Sequence, residues 1–343
     1  MALGCPYGVH RVLEPEGALP QGAQRLDNRM EIYDNEILVD VETLNIDSAS
    51  FTQIRQQAGD DEQQMAEIML DIVKSRGKHH NPVTGSGGMF IGTVRAIGSA
   101  LASRDLKVGD RIASLVSLTL TPLVIHEIKE IHKDTAQVEI RGQAVLFKSG
   151  IYAVLPEDLP EKVALAALDV AGAPAQTAKL VKPGDMVLII GAGGKSGTLC
   201  LHEAKKRAGV AGLVVAMDYG AEAVNRITEL GLADVVLDVD ATRPLDCFEK
   251  LWDSCGRLAD LTINCVNIPR TEMASILCTR DGGTVYFFSM ATSFTAAALG
   301  AEGVGKDVAM LIGNGYTKNH DQIALEVLRE NPKLRRLFSE IYA

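Results

Sequence analysis

Gly191-Ala192-Gly193-Gly194-Lys195-Ser196-Gly197 decides the fold through what flanks it. Asp185-Met186-Val187-Leu188-Ile189-Ile190 precedes it, an apolar β-branched run that reads as a buried strand. Thr198–Ala208 follows and can start a helix. A second apolar run, Leu213–Met217, ends at Asp218, 21 residues past Gly197. A dinucleotide site needs this order of parts. Glycines let the turn approach a pyrophosphate, the helix N-terminus supplies oriented N–H groups, and an acid bonds the ribose hydroxyls. Gly191, Gly193, Gly194 and Gly197 are therefore expected around the pyrophosphate, with Lys195 or Ser196 adding a contact. Gly194-Lys195-Ser196 also has the ending of a phosphate-binding P-loop, but that motif requires glycine where Ile189 stands. Asp218 favours NAD, because a 2′-phosphate would meet a like charge; Arg226 keeps NADP possible.

The pattern extends outward as an α/β doubly wound sheet. Strands are expected at 185–190, 213–217, 234–238, 260–266, 284–288 and 308–312, enough for a complete dinucleotide-binding domain over 158–317. Helices are expected at Thr198–Ala208, Ala221–Leu230, Pro244–Ser254 and Thr271–Thr279, the last closed by Asp281-Gly282-Gly283. Residues 1–157 read differently. Glu36–Leu44, Phe90–Ile97, Arg111–Ser117 and Val138–Leu146 look like strands, with one helix over Asp61–Arg76 ended by Gly77. His320–Phe338 reads as an amphipathic helix packing back on the N-terminal part, so 318–343 is grouped with it.

With 343 residues, 47% hydrophobic and 23% charged, the chain has the composition of a globular protein of about two domains. A net charge of −10 argues against nucleic acid or an anionic membrane as partner. No apolar run reaches the roughly 18 residues of a membrane span. Met1-Ala2-Leu3-Gly4-Cys5-Pro6 lacks the pattern of a signal peptide. Six cysteines without C-x-x-C spacing point to a reducing, cytoplasmic setting and no disulfides.

Gly92-Thr93-Val94, Leu106-Lys107-Val108-Gly109-Asp110-Arg111 and Lys182-Pro183-Gly184-Asp185 resemble passages of the medium-chain dehydrogenase/reductase superfamily. That resemblance implies a β-rich GroES-like N-terminal domain followed by a Rossmann domain. It also implies that Val266-Asn267 and Ser289-Met290 line the ribose and nicotinamide. Zinc-dependent members carry ligands where this chain has Asn45-Ile46-Asp47, Gly87-Gly88-Met89 and Asp169-Val170-Ala171-Gly172. Zinc takes Cys, His or carboxylate in a closed cluster, so no metal is expected. At finer grain, Gly4–Val12, Arg76–Met89 and Gly191–Gly197 resemble the L-erythro-3,5-diaminohexanoate dehydrogenases of anaerobic lysine fermentation. That family implies oxidative deamination of a C3 amine with NAD(P)+, giving 5-amino-3-oxohexanoate and ammonium.

The chemistry tolerates a metal-free site. An alcohol proton is about as hard to remove as that of water, whereas an ammonium has a pKa of about 10. Once neutral, the amine's own lone pair drives hydride departure. Asp47 and Asp169, at or beside two vacated metal positions, are candidates to attract a diammonium substrate or take a proton. His80 is a candidate base. Lys78 and Ser86 are candidates for the substrate carboxylate. His126, His132 and His202 read as structural or exposed. Two alternatives stay open: a zinc-free quinone or enoyl reductase, and a non-catalytic NAD(P)-binding protein. Asn264, inside an apolar strand, has no partner assignable from sequence. The apolar run Asp307–Ile312 ends its sheet and suggests a homodimer, because a bare apolar edge is a liability.

Overall fold

The computed structural model describes residues 3–102, 105–313 and 315–342, in two units, Met1–Glu157 and Asp158–Ala343. In the first unit, β1 (Val12–Glu14) and β2 (Arg25–Leu26) form a small antiparallel pair. β3 (Glu36–Ile46) leads into α1 (Ser48–Gln57) and α2 (Glu62–Arg76). Then come β4 (Gly88–Ile97), β5 (Arg111–Ser114), β6 (Leu123–His132), β7 (Gln137–Phe147) and β8 (Tyr152–Val154). These strands make an antiparallel sheet in the order β6-β7-β3-β4-β5-β8. α2 starts because Asp61 accepts from the Gln64 N–H at 2.8 Å, and it stops at Gly77, whose φ is 68°. Its stripe Met65, Met69, Ile72 and Val73 is buried core, packed with Ile37, Val39 and Phe90.

β6 and α1 do not follow from the sequence pattern. β6 carries Ile125, Ile128 and Ile131 at intervals of three, and its register slips at Ile125/Glu127 and at Ile128/Glu130. Those two irregularities break the period of two by which strands are read. A buried ion pair ties the start of the unit together. Arg11 donates to both Glu36 carboxylate oxygens at 2.8 and 2.6 Å and to the carbonyls of Arg29 and Glu31 at 2.5 and 2.8 Å. Burial works against an ionised Glu36, but Arg11, the Tyr33 N–H and His10 hold its carboxyl below the ordinary glutamate range. The glycines beside this pair are steric: a Cβ on Gly8 would lie 2.3 Å from the Phe147 ring.

The second unit begins with α3 (Glu161–Leu168) and α4 (Gly172–Leu180), then alternates strictly. Its elements are β9 (Met186–Ile190), α5 (Lys195–Ala208), β10 (Leu213–Asp218), α6 (Ala221–Leu230), β11 (Val235–Asp238), α7 (Pro244–Cys255), β12 (Ala259–Asn264) and α8 (Glu272–Cys278). β13 (Thr279–Phe287), α9 (Phe294–Gly303), β14 (Val308–Ile312), α10 (His320–Glu330) and α11 (Pro332–Ile341) complete it. The sheet is parallel, ordered β11-β10-β9-β12-β13-β14, so the chain reverses direction across the sheet between β9 and β12. Val187 and Ile189 pack on one face, Met186, Leu188 and Ile190 on the other, which is why β9 is apolar throughout.

Two expectations need correction here. Asp281-Gly282-Gly283 does not close a helix; it lies within β13, where Ala259 pairs with Thr279 but Leu261 pairs with Thr284, a bulge. The C-terminal helix is two helices, broken where the Asn331 side chain accepts from the Lys333 and Leu334 N–H groups at 3.0 and 3.1 Å, ahead of Pro332. Both belong to the second unit and pack on α3 and α5, with α10 also on α4. Ion pairs hold them there: Arg329 with Asp158 at 2.7 Å, and Glu330 with His202 and Lys206 at 2.9 and 2.6 Å. Among the described residues no helix is long and apolar enough to cross a membrane.

Candidate functional site

The glycine turn leaves β9 with Gly191 at φ 78°, and the Gly191 and Ala192 N–H groups donate to Met217 O at 2.9 and 3.3 Å. The turn is thereby fastened to the end of β10. The four glycines do different work. A Cβ on Gly197 would stand 2.1 Å from Gly191 O, so this glycine lets α5 pack against the turn. One on Gly193 would meet Ala223 at 3.0 Å, whereas at Gly194 the nearest atom is 3.5 Å away, leaving open surface beside the start of α5. The N–H groups of Lys195, Ser196 and Gly197 open α5 and have no preceding turn of helix to bond. That is a donor cradle suited to a pyrophosphate. The cradle and Asp218 fit a dinucleotide.

Asp218 closes the arrangement. Its carboxylate accepts from the Gly193 N–H at 2.7 Å and the Tyr219 N–H at 2.8 Å, which fixes its orientation while leaving lone pairs for ribose hydroxyls. The Gly193 N–H is therefore committed to Asp218, and the donors left open are those at the start of α5. Arg226 donates to Gly193 O at 2.7 Å and to Glu222 at 2.8 Å, so its guanidinium is already engaged. Lys195 makes a 2.5 Å ion pair with Asp169, which caps α3. Asp169 is thus brought to the cofactor turn.

Val266 also reaches the turn: a Cβ on Gly191 would be 2.9 Å from its Cγ2. Asn267 and Met290 are exposed on the loops after β12 and β13, and Ser289 is half-buried. Asn264 organises both loops. Fully buried, it donates to the Thr271 and Ser275 hydroxyls at 2.9 Å each, and its side-chain oxygen accepts from the Val266 N–H at 3.0 Å. Its backbone carbonyl accepts from Phe288 and Ser289 at 3.0 and 3.3 Å. The costly buried amide seen in the sequence is fully partnered.

In the first unit the loop 78–88 and the start of α1 form a polar cluster. Asp47 N donates to Gly87 O at 3.2 Å, and the Gly87 N–H returns a bond to the Asp47 carboxylate at 2.9 Å. The exposed Asp47 carboxylate is thus held by one oxygen. The Ser50, Thr84 and Ser86 hydroxyls lie 2.9 to 3.0 Å from one another. Sequence reading missed Ser50 and Thr84, whose contacts span 34 residues of chain. Lys78 is fully buried and donates to Pro20 and Gln21 carbonyls at 2.7 and 3.3 Å, so it is structural and not a ligand for the substrate carboxylate. Burial lowers its pKa to about 8. His79 is buried with both ring nitrogens unpartnered among the described residues, and burial takes its pKa down to about 4. The pKa of half-buried His80 is lowered by burial and then by Lys78 and Arg76, which favours a neutral ring able to accept a proton.

The vacated metal positions do not fit zinc. Gly88 has φ 121°, and a Cβ there would lie 2.1 Å from Asn45 O; Val170 is buried and offers no donor. Two groups of His and carboxylates do occur among the described residues, Glu130/His132/Glu139 and His202/Glu203/Glu330, and neither contains a residue of these positions. A cavity of about 600 Å³ in the second unit, lined by Gln176, Lys179, Arg207, Tyr286 and Thr317, contains none of the predicted site residues.

Residues 10–156 match the family model of the L-erythro-3,5-diaminohexanoate dehydrogenase N-terminal domain. The chain is 59% identical to the L-erythro-3,5-diaminohexanoate dehydrogenase of Acetoanaerobium sticklandii, over 99% of each chain. It is 55% identical to that of Fusobacterium nucleatum, over the full length of both. It shares a fold with the alcohol dehydrogenase TADH from Thermus sp. ATN1, at a TM-score of 0.53 and 17% identity, covering 92% of this chain and 89% of that one. The fold is thus that of the alcohol dehydrogenases, and the chain belongs to the L-erythro-3,5-diaminohexanoate dehydrogenase family.

Proposed function

We propose that the chain oxidises the C3 amine of L-erythro-3,5-diaminohexanoate to 5-amino-3-oxohexanoate, with NAD+ preferred over NADP+. The observation that carries this reading is an ordered dinucleotide turn, Gly191–Gly197 with Asp218, in a chain whose metal positions Gly88 and Val170 offer no ligand. The ammonium form of the substrate, NAD+ and water become ketone, ammonium, NADH and one proton, so charge and hydrogen balance. The nicotinamide, when bound, supplies the hydride acceptor. The α5 N–H groups hold the pyrophosphate and Asp218 the ribose, and Asp169 orients Lys195 beside them. Val266, Asn267, Ser289 and Met290 border the ribose and nicotinamide on loops set by Asn264.

In the first unit, Asp47 attracts the diammonium substrate, Ser86 with Ser50 and Thr84 offers hydroxyls to its carboxylate, and neutral His80 accepts the ammonium proton. Preference for NAD+ follows from charge. Asp218 repels a 2′-phosphate, and Arg226 is engaged by Gly193 O and Glu222. β14 is an edge strand whose Ile312 is 63% exposed, and it suits pairing with a second copy of the chain. The test of the reaction is NAD+ reduction by the diamino acid after exhaustive chelation. Turnover that persists supports the reading; turnover abolished with removal of a stoichiometric zinc overturns it.

A further inference from the structure

We propose that Tyr342, at the end of the C-terminal helix, is a wall of the adenosine-ribose subsite and donates its phenolic hydrogen bond to the bound cofactor's ribose. The inference rests on the reading of Asp218 as the ribose acceptor. Two anchors set the path of α11. Glu330, just before it, pairs with His202 and Lys206 in the middle and last turn of α5. Lys333, in its first turn, donates to Glu229 O at the end of α6 at 2.8 Å. α5 and α6 both follow strands of one parallel sheet, so their N-termini share the edge that carries the glycine turn. Starting at their C-terminal ends and packing on α5, α11 runs back along them. Its ten residues span roughly 15 Å at 1.5 Å per residue, about the length of α5 from Lys206 back to Lys195.

Tyr342 follows the last turn and is held by its ring, which meets the fully buried Phe338 edge-on at 5.1 Å. The phenol is half-buried, and besides burial its surroundings act on it through three charges: Arg226, Asp218 and Glu222. Two of these are the groups that tie down Gly193. No described residue accepts a hydrogen bond from the Tyr342 hydroxyl. A donor within electrostatic reach of an ordered carboxylate suits a sugar hydroxyl, which donates to the acid and accepts from the phenol.

The test measures dissociation constants for NADH and NADPH with the full-length chain, by cofactor fluorescence, for Tyr342→Phe and Asp218→Ala. Tyr342→Phe keeps the ring on Phe338 and removes only the hydroxyl. The expected result is about fivefold weaker NADH binding, the size of one neutral hydrogen bond. Unchanged NADH affinity in Tyr342→Phe, with clear loss in Asp218→Ala, overturns the role of Tyr342 and leaves the ribose site intact. If neither variant weakens binding, the ribose reading itself fails, and this proposal with it. A drop in kcat without a change in affinity also overturns it, since that places Tyr342 in a general structural role.

Discussion

Asp47 presents a carboxylate with one oxygen already bonded to the Gly87 N–H, so the group is oriented before any substrate arrives. Asp47→Asn keeps that shape and removes the charge. It is expected to lower kcat/KM for the diamino acid at least about tenfold, or ~1.4 kcal/mol of transition-state binding; an unchanged value makes Asp47 only the residue that joins α1 to the loop. Asn264 illustrates how far a residue is legible in sequence. Its polarity within an apolar strand announced a need for partners, but Thr271 and Ser275 stand 7 and 11 residues on, at the start of the next helix, and only the fold turns them back onto it. Asn264→Ala strands the Val266 N–H and two hydroxyls, and should destabilise the chain by about 2 kcal/mol or more in denaturant unfolding. Lys78 was misread for a similar reason: its carbonyl partners, Pro20 and Gln21, are 58 and 57 residues away.

Elements that are apolar on both faces read correctly, because burial leaves them no other pattern; β9 and β10 are of this kind. Elements with little contrast do not. α3 and α4 are rich in Ala164, Ala166, Ala167, Ala173 and Ala175, and alanine marks no stripe. The turn between β9 and α5 separates two uses of glycine. Gly197→Ala drives a methyl into Gly191 O and should lower Tm sharply, together with cofactor binding. Gly194→Ala meets nothing closer than 3.5 Å, so Tm should hold while NADH affinity falls about tenfold as the methyl enters the pyrophosphate's approach. Equal effects of the two substitutions on Tm would contradict this division of labour. The loop 78–80 adds a pH dependence. His79 has a folded pKa of about 4 against about 6.5 unfolded, so the unfolded chain binds the extra proton between those values. Its contribution to stability is intact above about pH 6.5 and lost as pH falls toward 4, on the order of 3 kcal/mol in all. His79→Gln should flatten that part of the stability–pH curve.

Across the whole molecule, the apolar edge at β14 predicts at least a dimer, and light scattering at micromolar protein should return about twice the 36.7 kDa chain mass. The mass of a single chain would refute pairing there. The sequence signature near the N-terminus, Gly4–Val12, marks the family but serves architecture: Arg11 is a buried hub on Glu36, and Gly8 makes room for Phe147. The central claim is amine chemistry in a chain whose Gly88 and Val170 offer no zinc ligand, and its most direct test runs the reaction backwards. The purified, chelator-treated chain is mixed with 5-amino-3-oxohexanoate and NADH, and NADH oxidation is followed as ammonium is added. The account predicts oxidation that depends on ammonium and consumes one ammonium per NADH. Oxidation of NADH by quinones or enoyl thioesters, with no response to ammonium and the oxo acid, would contradict it.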